Sequence, residues 1–364
     1  MSRMFQLILS VSFLSCLQFS ILAAYTSLYA FGDGVCTTTS NIVAYPLSTN
    51  YYGHRSCNGR VWIEVLAQRQ GLPYVPDQNW SFFGHYSPNL VSNVGKFVAP
   101  PDVNTALFIV WVADADFVYA INHYAPYTTN NLAVWTNAIN LSLSNYFTAI
   151  QILYAKGVRT LVMPNAVDLT KVPYYVGLSA ANKNFIRQRV VEFNLGFTAR
   201  LNQARAAFTD LTLFAPDFYT LLENILARPG EYGLTNALYD GQTIDALSDE
   251  VLTDKSLDGP GADYIFWDYL DPSARAQAVM ADVVHQLLAP ARIAGLSPLG
   301  ASNRLDLVDL PLGLAGFVED STNFVDWVPV YSIPDTDAPQ MVLLPAAGPV
   351  RFYRLRFPFA WSWP

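Results

Sequence analysis

Four short runs of apolar residues occur along the chain, and none of them alternates with polar positions. They comprise Ser27–Phe31, Ala106–Val112, Val158–Met163 and Thr212–Ala215. Continuous apolar runs of this length are typical of parallel strands that are covered on both faces, whereas half-exposed strands alternate. The pattern therefore predicts a buried parallel sheet.

Between these runs, apolar residues recur at helical spacing. One series consists of Ile139, Leu143, Phe147, Ile150 and Leu153. It ends before Gly157, a residue type that favours the C-terminus of a helix. A second series consists of Phe185, Ile186, Val190, Phe193, Phe197 and Leu201. Helices that alternate with buried strands predict a three-layer α/β sandwich with a parallel central sheet.

The pattern changes near residue 290. The segment 291–300 is rich in Pro, Gly, Ala and Ser, which predicts a linker between a main domain at 25–290 and a module at 301–364. In the module, short apolar runs are divided by Pro, Gly, Asp and Asn, a pattern of small antiparallel strands. They include Leu305, Leu307, Phe317, Val325, Trp327, Val330 and Val342–Leu344. We therefore expect a small all-β module.

Residues 1–24 have the pattern of a secretory signal peptide. Arg3 is the only charged residue there, an apolar stretch runs from Met4 to Leu22, and Ala23-Ala24 offers a small-residue cleavage site. No later segment approaches the length of a transmembrane span. The sequence thus predicts a protein that is secreted or periplasmic/extracellular after signal-peptide cleavage.

The net charge argues against one class of function, and the cysteine content limits the possible disulfides. The formal net charge is −8, and such a surface repels phosphate backbones, which argues against nucleic-acid binding. Removal of the signal peptide leaves Cys36 and Cys57, so one disulfide is permitted, although the sequence does not show whether it forms. No pattern calls for a cofactor or a metal ion.

Six motifs in order carry the chemistry. They are Phe31-Gly32-Asp33-Gly34, the stretch 51–64 (YYGHRSCNGRVWIE), Gly84, Trp111–Phe117, Asp217–Tyr219 with 229–233, and Phe266–Ser273. Together they resemble the GDSL (SGNH) hydrolase family, in particular its secreted plant-lipase-like branch, from about Tyr29 to Leu288. The resemblance implies a flavodoxin-like fold and a nominal hydrolase that acts on ester bonds of lipids or acylated polysaccharides.

The resemblance also assigns site residues, and three of them are substituted. Gly34 stands at the position of the nucleophilic Ser, Ala115 at that of the oxyanion-hole Asn, and Asp271 at that of the catalytic His. Asp268 matches the triad acid, and the backbone N–H groups of Gly34 and Gly84 match the remaining oxyanion donors. Acyl transfer needs a nucleophile and a base, so the usual serine mechanism is predicted to be absent.

Structural interpretations compete with functional ones at these positions. Asp271-Pro272 before an Ala-rich segment is typical of an N-cap followed by Pro at the first helical position, and this interpretation is favoured. Gly34 suits a tight strand-to-helix turn. Cys36 or Thr37 offers a displaced nucleophile, although a disulfide or a buried thiol is favoured for Cys36.

Two further sets of residues are candidates for binding or catalysis. His54 and His85 lie in loops that the resemblance places near the site, and either is a candidate relocated base, although lone loop histidines more often have structural roles. A second set of carboxylates is a candidate for a hard cation, with ordinary structural roles favoured: Asp33, Asp114, Asp116 and Asp268. Among these, Asp33, His54, His85 and Asp114 are the binding candidates.

Three functions follow. Binding of acyl or glycan ligands with little or no serine-esterase activity is placed slightly ahead of an active hydrolase with a relocated nucleophile or base. The third is a structural or adhesive surface protein, which rests on the aromatic C-terminal module. This module loosely resembles a small β-module that follows catalytic domains in secreted bacterial proteins. Adhesion, glycan contact and export are candidate roles, and a β-sandwich that closes over the main domain is an alternative at least as well supported. The apolar end, Phe357–Pro364, is expected to be docked or to engage a partner.

Overall fold

A computed structural model describes residues 25–38, 49–310, 315–334, 336, 338–346 and 350–357. The predicted signal peptide at 1–24 lies outside the described residues. The same holds for residues 358–364 of the terminal segment that was expected to be docked.

Four parallel strands form the central sheet in sequence order. They are β1 (Leu28–Gly32), β2 (Leu107–Trp111), β3 (Thr160–Val162) and β4 (Thr212–Phe214). Each coincides with one of the four apolar runs, so the predicted parallel sheet is confirmed. All residues of β1 and β2 are buried, which requires cover on both faces.

Helices provide that cover. They are α1 (Trp62–Arg69), α2 (Ser87–Lys96), α3 (Ala113–His123), α4 (Leu132–Ala155), α5 (Ala180–Ala207), α6 (Phe218–Ala227) and α7 (Ala274–Leu288). α1 packs against α7, whereas α2 and α5 both pack against α4. The α4 helix ends just before Gly157, whose φ of 102° is the left-handed conformation that favours glycine. The predicted three-layer sandwich is therefore confirmed.

A separate antiparallel region follows α7. Its strands are β7 (Arg292–Leu299), β8 (Ser302–Val308), β9 (Gly316–Ser321), β10 (Val328–Ile333), β11 (Gln340–Pro345) and β12 (Phe352–Arg356). The strands β5 (Leu238–Tyr239) and β6 (Gln242–Thr243) form a separate short hairpin between α6 and α7. One sheet has the order β11-β8-β7 and another β10-β9-β12. Leu305, Leu307 and Val318 are fully buried between them. The all-β module is thus confirmed.

The predicted linker at 291–300 is wrong. Arg292–Leu299 form β7 and pair with β8 along their whole length. β7 is an edge strand, and an edge strand tolerates proline because only one of its sides is hydrogen-bonded; Pro298 lies in it. The strand also has a register shift just before Gly295, an irregularity that glycine accommodates. The Pro and Gly that suggested a linker are therefore edge-strand features.

None of the helices in the described part of the chain is long and apolar enough to cross a membrane.

Candidate active-site cavity

A cavity of about 290 Å³ opens where the loops after β1 and β2 meet the turn before α7. Gly32 and Trp111 are paired at the ends of β1 and β2, so the loops that follow begin at the same level. Gly34, just after β1, and Ala115, in the first turn of the helix α3 that follows β2, both line the cavity. Ligand sites of parallel α/β sheets lie at this carboxyl edge.

Most of the cavity wall is apolar. The apolar lining includes Trp111, Val118, Phe218, Leu221, Ile265 and Met280. Polar side chains are fewer, and they are Asp33, Asp114, Asn122, His123 and Asp271, together with the amphipathic Tyr86 and Tyr119. An apolar cavity with a few convergent polar groups is the usual form of a small-molecule site, here suited to a hydrocarbon chain with one polar end.

Gly34 and Asp271 face each other across one part of this cavity. A Cβ built at Gly34 would lie 4.0 Å from Asp271 Oδ1 and 3.1 Å from Phe83 Cδ2. The φ of Gly34 lies outside the left-handed region, so the turn there does not require glycine, contrary to the competing structural interpretation. The positions that the resemblance assigns to nucleophile and base are thus adjacent, although neither residue has the corresponding side chain.

Gly84 and Ala115 complete this part of the wall. Gly84 has a φ of 76° with open space where a Cβ would stand, so its conformation, rather than crowding, favours glycine. Ala115 lies in the first turn of α3 and donates its backbone N–H to the Asp33 carboxylate. The methyl group of Ala115 offers no hydrogen bond to a ligand.

Asp268 holds the turn that carries Asp271. Its Oδ1 accepts the backbone N–H groups of Leu270 at 2.9 Å and Asp271 at 2.8 Å, and its Oδ2 accepts the Tyr51 hydroxyl at 3.0 Å. The N-cap of α7 is Ser273, whose hydroxyl accepts the Ala276 N–H at 3.2 Å. The interpretation of Asp271 as N-cap is therefore wrong, and its side chain is left to line the cavity.

The stretch 51–64 fixes this turn from the other side. Asn58 Oδ1 accepts the N–H of Ala274, the first residue of α7, at 2.8 Å, while its amide donates to Leu257 O at 2.8 Å. A Cβ at Gly59 would lie 2.7 Å from the Ala274 Cβ, so glycine permits the close approach. This motif positions the start of α7 and does not line the cavity.

Replacement of Asn58 by Ala is expected to lower the free energy of unfolding by about 1–2 kcal/mol, because a helix N–H and a carbonyl both lose their partner. Chemical denaturation of Asn58→Ala beside the helix-surface control Asn184→Ala measures this difference. Equal stability of the two variants would show that the contact is dispensable.

Burial raises the pKa of every carboxyl group in the cluster around Gly34. The pKa of Asp33 rises to about 7 and that of Asp268 to about 6, in both cases chiefly because burial penalises the charged form. The pKa of Asp271 lies well above its usual range because of burial, reinforced by the charges of Asp268 and Asp33. The pKa of Asp114 is also raised, first by burial and then by Asp33.

The two candidate loop histidines do not line the cavity. His85 is completely buried, its Nδ1 lies 2.8 Å from Gly32 O, and its ring stacks on Phe82. Burial lowers its pKa to about 4, which makes it a weak base. His54 is half-buried in the stretch 51–64. The geometry therefore gives neither residue contact with the cavity.

Cys36 and Cys57 are both free and buried, so the disulfide that the sequence permits is not formed. The Cys36 thiol accepts the Trp62 indole N–H at 3.2 Å, and burial raises the pKa of this thiol well above its usual range. Thr37 is buried and donates its hydroxyl to Asp33 O at 2.9 Å. None of the three lines the cavity, which places them poorly as displaced nucleophiles.

No cluster of three or more metal-ligating side chains occurs among the described residues. Asp116 is turned away from the cavity and accepts the Ser87 N–H at 2.9 Å and the Ser142 hydroxyl at 2.5 Å. The four aspartates considered for a hard cation are thus not assembled around one point.

The sequence analysis named Ala115 but not the other residues of the same α3 face that line the cavity, Val118, Tyr119 and Asn122. These positions are separated by three or four residues, the spacing of one helix face, so the signal was present. His123 also lines the cavity at the end of α3. Its Nδ1 lies 2.8 Å from Tyr119 O, and its ring stacks on that tyrosine.

Comparison with known proteins gives consistent matches. The family model of GDSL-like Lipase/Acylhydrolase matches residues 28–284. The chain is 22% identical to the thermolabile hemolysin of Vibrio parahaemolyticus over 70% of its own length and 61% of the hemolysin. It is 21% identical to the GDSL esterase/lipase APG of Arabidopsis thaliana, over 76% of its length and 95% of that relative. Among solved structures, phospholipase A1 from Streptomyces albidoflavus matches 72% of this chain and 99% of its own, with 12% identity and a TM-score of 0.42.

Proposed function

Because the chain belongs to the GDSL-like lipase/acylhydrolase family, we propose that it binds amphiphilic acyl compounds in the cavity beside Gly34 without serine-type hydrolysis. The family membership confirms the resemblance of the six motifs. The chain spans 61% of the length of the hemolysin, so activity of that relative as a whole is not implied for this chain.

The juxtaposition of Gly34 and Asp271 supports this proposal best. The two positions face each other beside an apolar cavity, at a Cβ-to-carboxyl distance of 4.0 Å, but they offer no hydroxyl and no imidazole. A serine mechanism needs both groups within hydrogen-bond reach. The cavity wall can still bury a hydrocarbon chain, which stabilises a complex by about 25 cal/mol per Å² of apolar surface.

We expect the purified protein to bind octanol saturably and to leave nitrophenyl octanoate uncleaved above the buffer rate. Isothermal titration calorimetry measures the first and nitrophenolate absorbance the second. A matched variant, Leu221→Trp, fills the apolar wall and is expected to weaken octanol binding about tenfold, since lost burial of two methylenes corresponds to about 1.6 kcal/mol. Octanol heats that do not saturate, or that are unchanged in this variant, would contradict the proposal.

A second candidate is a hydrolase in which a carboxylate acts as the base. The raised pKa of Asp271 favours it, since burial makes the ionised carboxylate a stronger proton acceptor. Ester turnover by the wild-type protein that Asp271→Asn abolishes would support this function and overturn binding without catalysis. Contact of the C-terminal module with glycans or cell surfaces, and export, stay predictions.

A further inference from the structure

The acidic residues beside Gly34 indicate the chemistry of the ligand's polar end. We propose that the cavity selects amphiphiles whose polar end is a positively charged, hydrogen-bond-donating group, such as a primary ammonium, over those that end in a carboxylate. This inference rests on the proposed function, because it concerns the same cavity.

The buried carboxyl group of Asp271 is the feature that indicates a hydrogen-bond-donating ligand. The residue is 3% exposed and lines the cavity. Burial and a side-chain hydrogen bond with the Asp268 carboxyl raise the pKa of Asp271, and its Oδ2 has no hydrogen-bond partner within the described part of the chain. A buried polar atom without a partner costs about 1–3 kcal/mol, so such an atom needs an explanation. A ligand that donates a hydrogen bond into the cavity would supply the partner.

The surroundings of Asp271 select the sign of the ligand charge. Asp33 and Asp114 also line the cavity, and none of the lining residues is Lys or Arg. The only lining residue that can become cationic is His123, which is exposed at the end of α3. An ammonium placed beside these acids is stabilised when they release their protons and form charged hydrogen-bond partners. A carboxylate there would keep them protonated and would gain no opposite charge, because the lining holds no Lys or Arg.

Release of protons by the acidic residues of the cavity is a second effect of ligand binding that can be measured. An inserted ammonium favours the charged form of nearby acids, so binding should release protons where those acids are partly protonated. The titratable groups that interact with Asp271 are Asp33, Asp268, Tyr51, Cys36 and Cys57, with Asp114 next to Asp33. The pKa of Asp33 is about 7, so the release is expected near neutral pH.

Isothermal titration calorimetry with octylamine, octanol and octanoate at pH 7 tests the selectivity. Octylamine is expected to bind about tenfold or more tightly than octanol, as a charge-assisted hydrogen bond contributes about 1.5–3 kcal/mol, and octanoate should bind most weakly. The octylamine heat should also change between buffers of different ionisation enthalpy, which reports proton release.

Variants locate the effect. Asp271→Asn is expected to weaken octylamine binding about tenfold and octanol binding by a smaller factor, because only octylamine loses a charged partner. Circular dichroism and urea unfolding show whether the variant is folded. Asp258→Asn removes an exposed acidic group that does not line the cavity, and the affinity for either ligand should not change. If Asp271→Asn fails to fold, Asp33→Asn provides the same comparison.

The outcomes separate this inference from the proposed function. Octanol that binds as tightly as octylamine would overturn the head-group selectivity and leave acyl-chain binding intact. Octylamine preference that persists in both Asp271→Asn and Asp33→Asn would also overturn it, because the acids would not be its source. Failure of all three ligands to bind would overturn the proposed function itself.

Discussion

Replacement of Gly34 by Ser, Ala115 by Asn and Asp271 by His in one protein is expected to create esterase activity toward short nitrophenyl esters. We expect ester cleavage to exceed the background rate about 100- to 10,000-fold, the usual contribution of a positioned general base. The rate with the wild-type protein, which is expected to equal that of buffer, is the reference. Initial rates of nitrophenolate release measure the gain.

The backbone at position 34 can accept the change. The φ of Gly34 is not left-handed, and the nearest atom to an added Cβ is Phe83 Cδ2 at 3.1 Å. Phe83 is 38% exposed, so its ring can move by the few tenths of an ångström that the contact requires. The added Cβ would lie 4.0 Å from Asp271 Oδ1, which leaves room for a serine hydroxyl between position 34 and the side chain at position 271.

The acid that would orient an imidazole is already in place. Asp268 accepts the backbone N–H groups of Leu270 and Asp271, and backbone contacts survive replacement of the Asp271 side chain. The pKa of Asp268 is raised to about 6, so at pH 8 this acid is charged and can stabilise an imidazolium. The assay is therefore best performed above pH 7.

The single variants are the controls. Gly34→Ser alone lacks a base and Asp271→His alone lacks a nucleophile, so neither should exceed the wild-type rate appreciably, because triad members act as a unit. A fluorophosphonate probe should label the triple variant and not Asp271→His. A triple variant that is folded and binds octanol, yet neither reacts with the probe nor cleaves esters, would show that positions 34 and 271 are not productively aligned.

The predictable part of this fold is the part where local pattern and tertiary structure agree. The run Ala106–Val112 became β2 because a continuous apolar segment has only the interior of a covered sheet to occupy. The linker prediction for segment 291–300 failed because the composition of this segment is compatible with both a linker and an edge strand. The segment becomes a strand because it pairs with β8. Composition alone cannot show such a partner.

The candidate site divides in the same way. The family resemblance was enough to predict that Gly34, Gly84, Ala115 and Asp271 lie around one site, and all four line the cavity. It did not exclude His85, whose loop is adjacent to the site. Its ring is turned inward, towards Gly32 O and Phe82, and only coordinates reveal the direction of a side chain.

Asp271 shows why a local rule can fail. Asp-Pro before a helix is a good N-cap pattern, but Ser273 lies two residues further on and caps α7 instead. The Asp268 carboxylate holds the backbone of Asp271 in a tight turn, and the side chain then faces the cavity and Gly34. Competing caps of similar strength are decided by such tertiary hydrogen bonds.

The second large effect concerns stability: Asp33→Asn is expected to stabilise the protein above pH 7 and to have little such effect below pH 4. The folded-state pKa of Asp33 is about 7 and its ordinary value is 3.8. Between these values the unfolded chain has lost the proton that the folded protein keeps, so stability falls as the pH rises through this window. At about 1.4 kcal/mol per pKa unit, the removed penalty is up to about 4 kcal/mol.

Only the pH-dependent part of the difference reports this penalty. Asparagine also weakens the acceptance of the Val35 and Ala115 N–H groups, which lowers stability by a constant amount at all pH values. The raised pKa of Asp268 and the lowered pKa of His85 are common to both proteins, so their contributions largely cancel when the variant is compared with the parent. Those of Asp114 and Asp271 do not cancel, because, beside burial, the charge of Asp33 contributes to their raised pKa values, and its removal adds to the pH-dependent difference with the same sign.

Urea unfolding of Asp33→Asn and the parent protein from pH 4 to pH 8 measures the difference, with the exposed Asp258→Asn as control. The difference in free energy of unfolding should grow steadily to about pH 7 for Asp33→Asn and stay level for the control. A level difference for Asp33→Asn would mean that Asp33 ionises normally in the folded protein. A growing one would mean that an ionised acid is kept beside Gly34 at a cost in stability, as expected of a group retained for its effect on a ligand rather than on the fold.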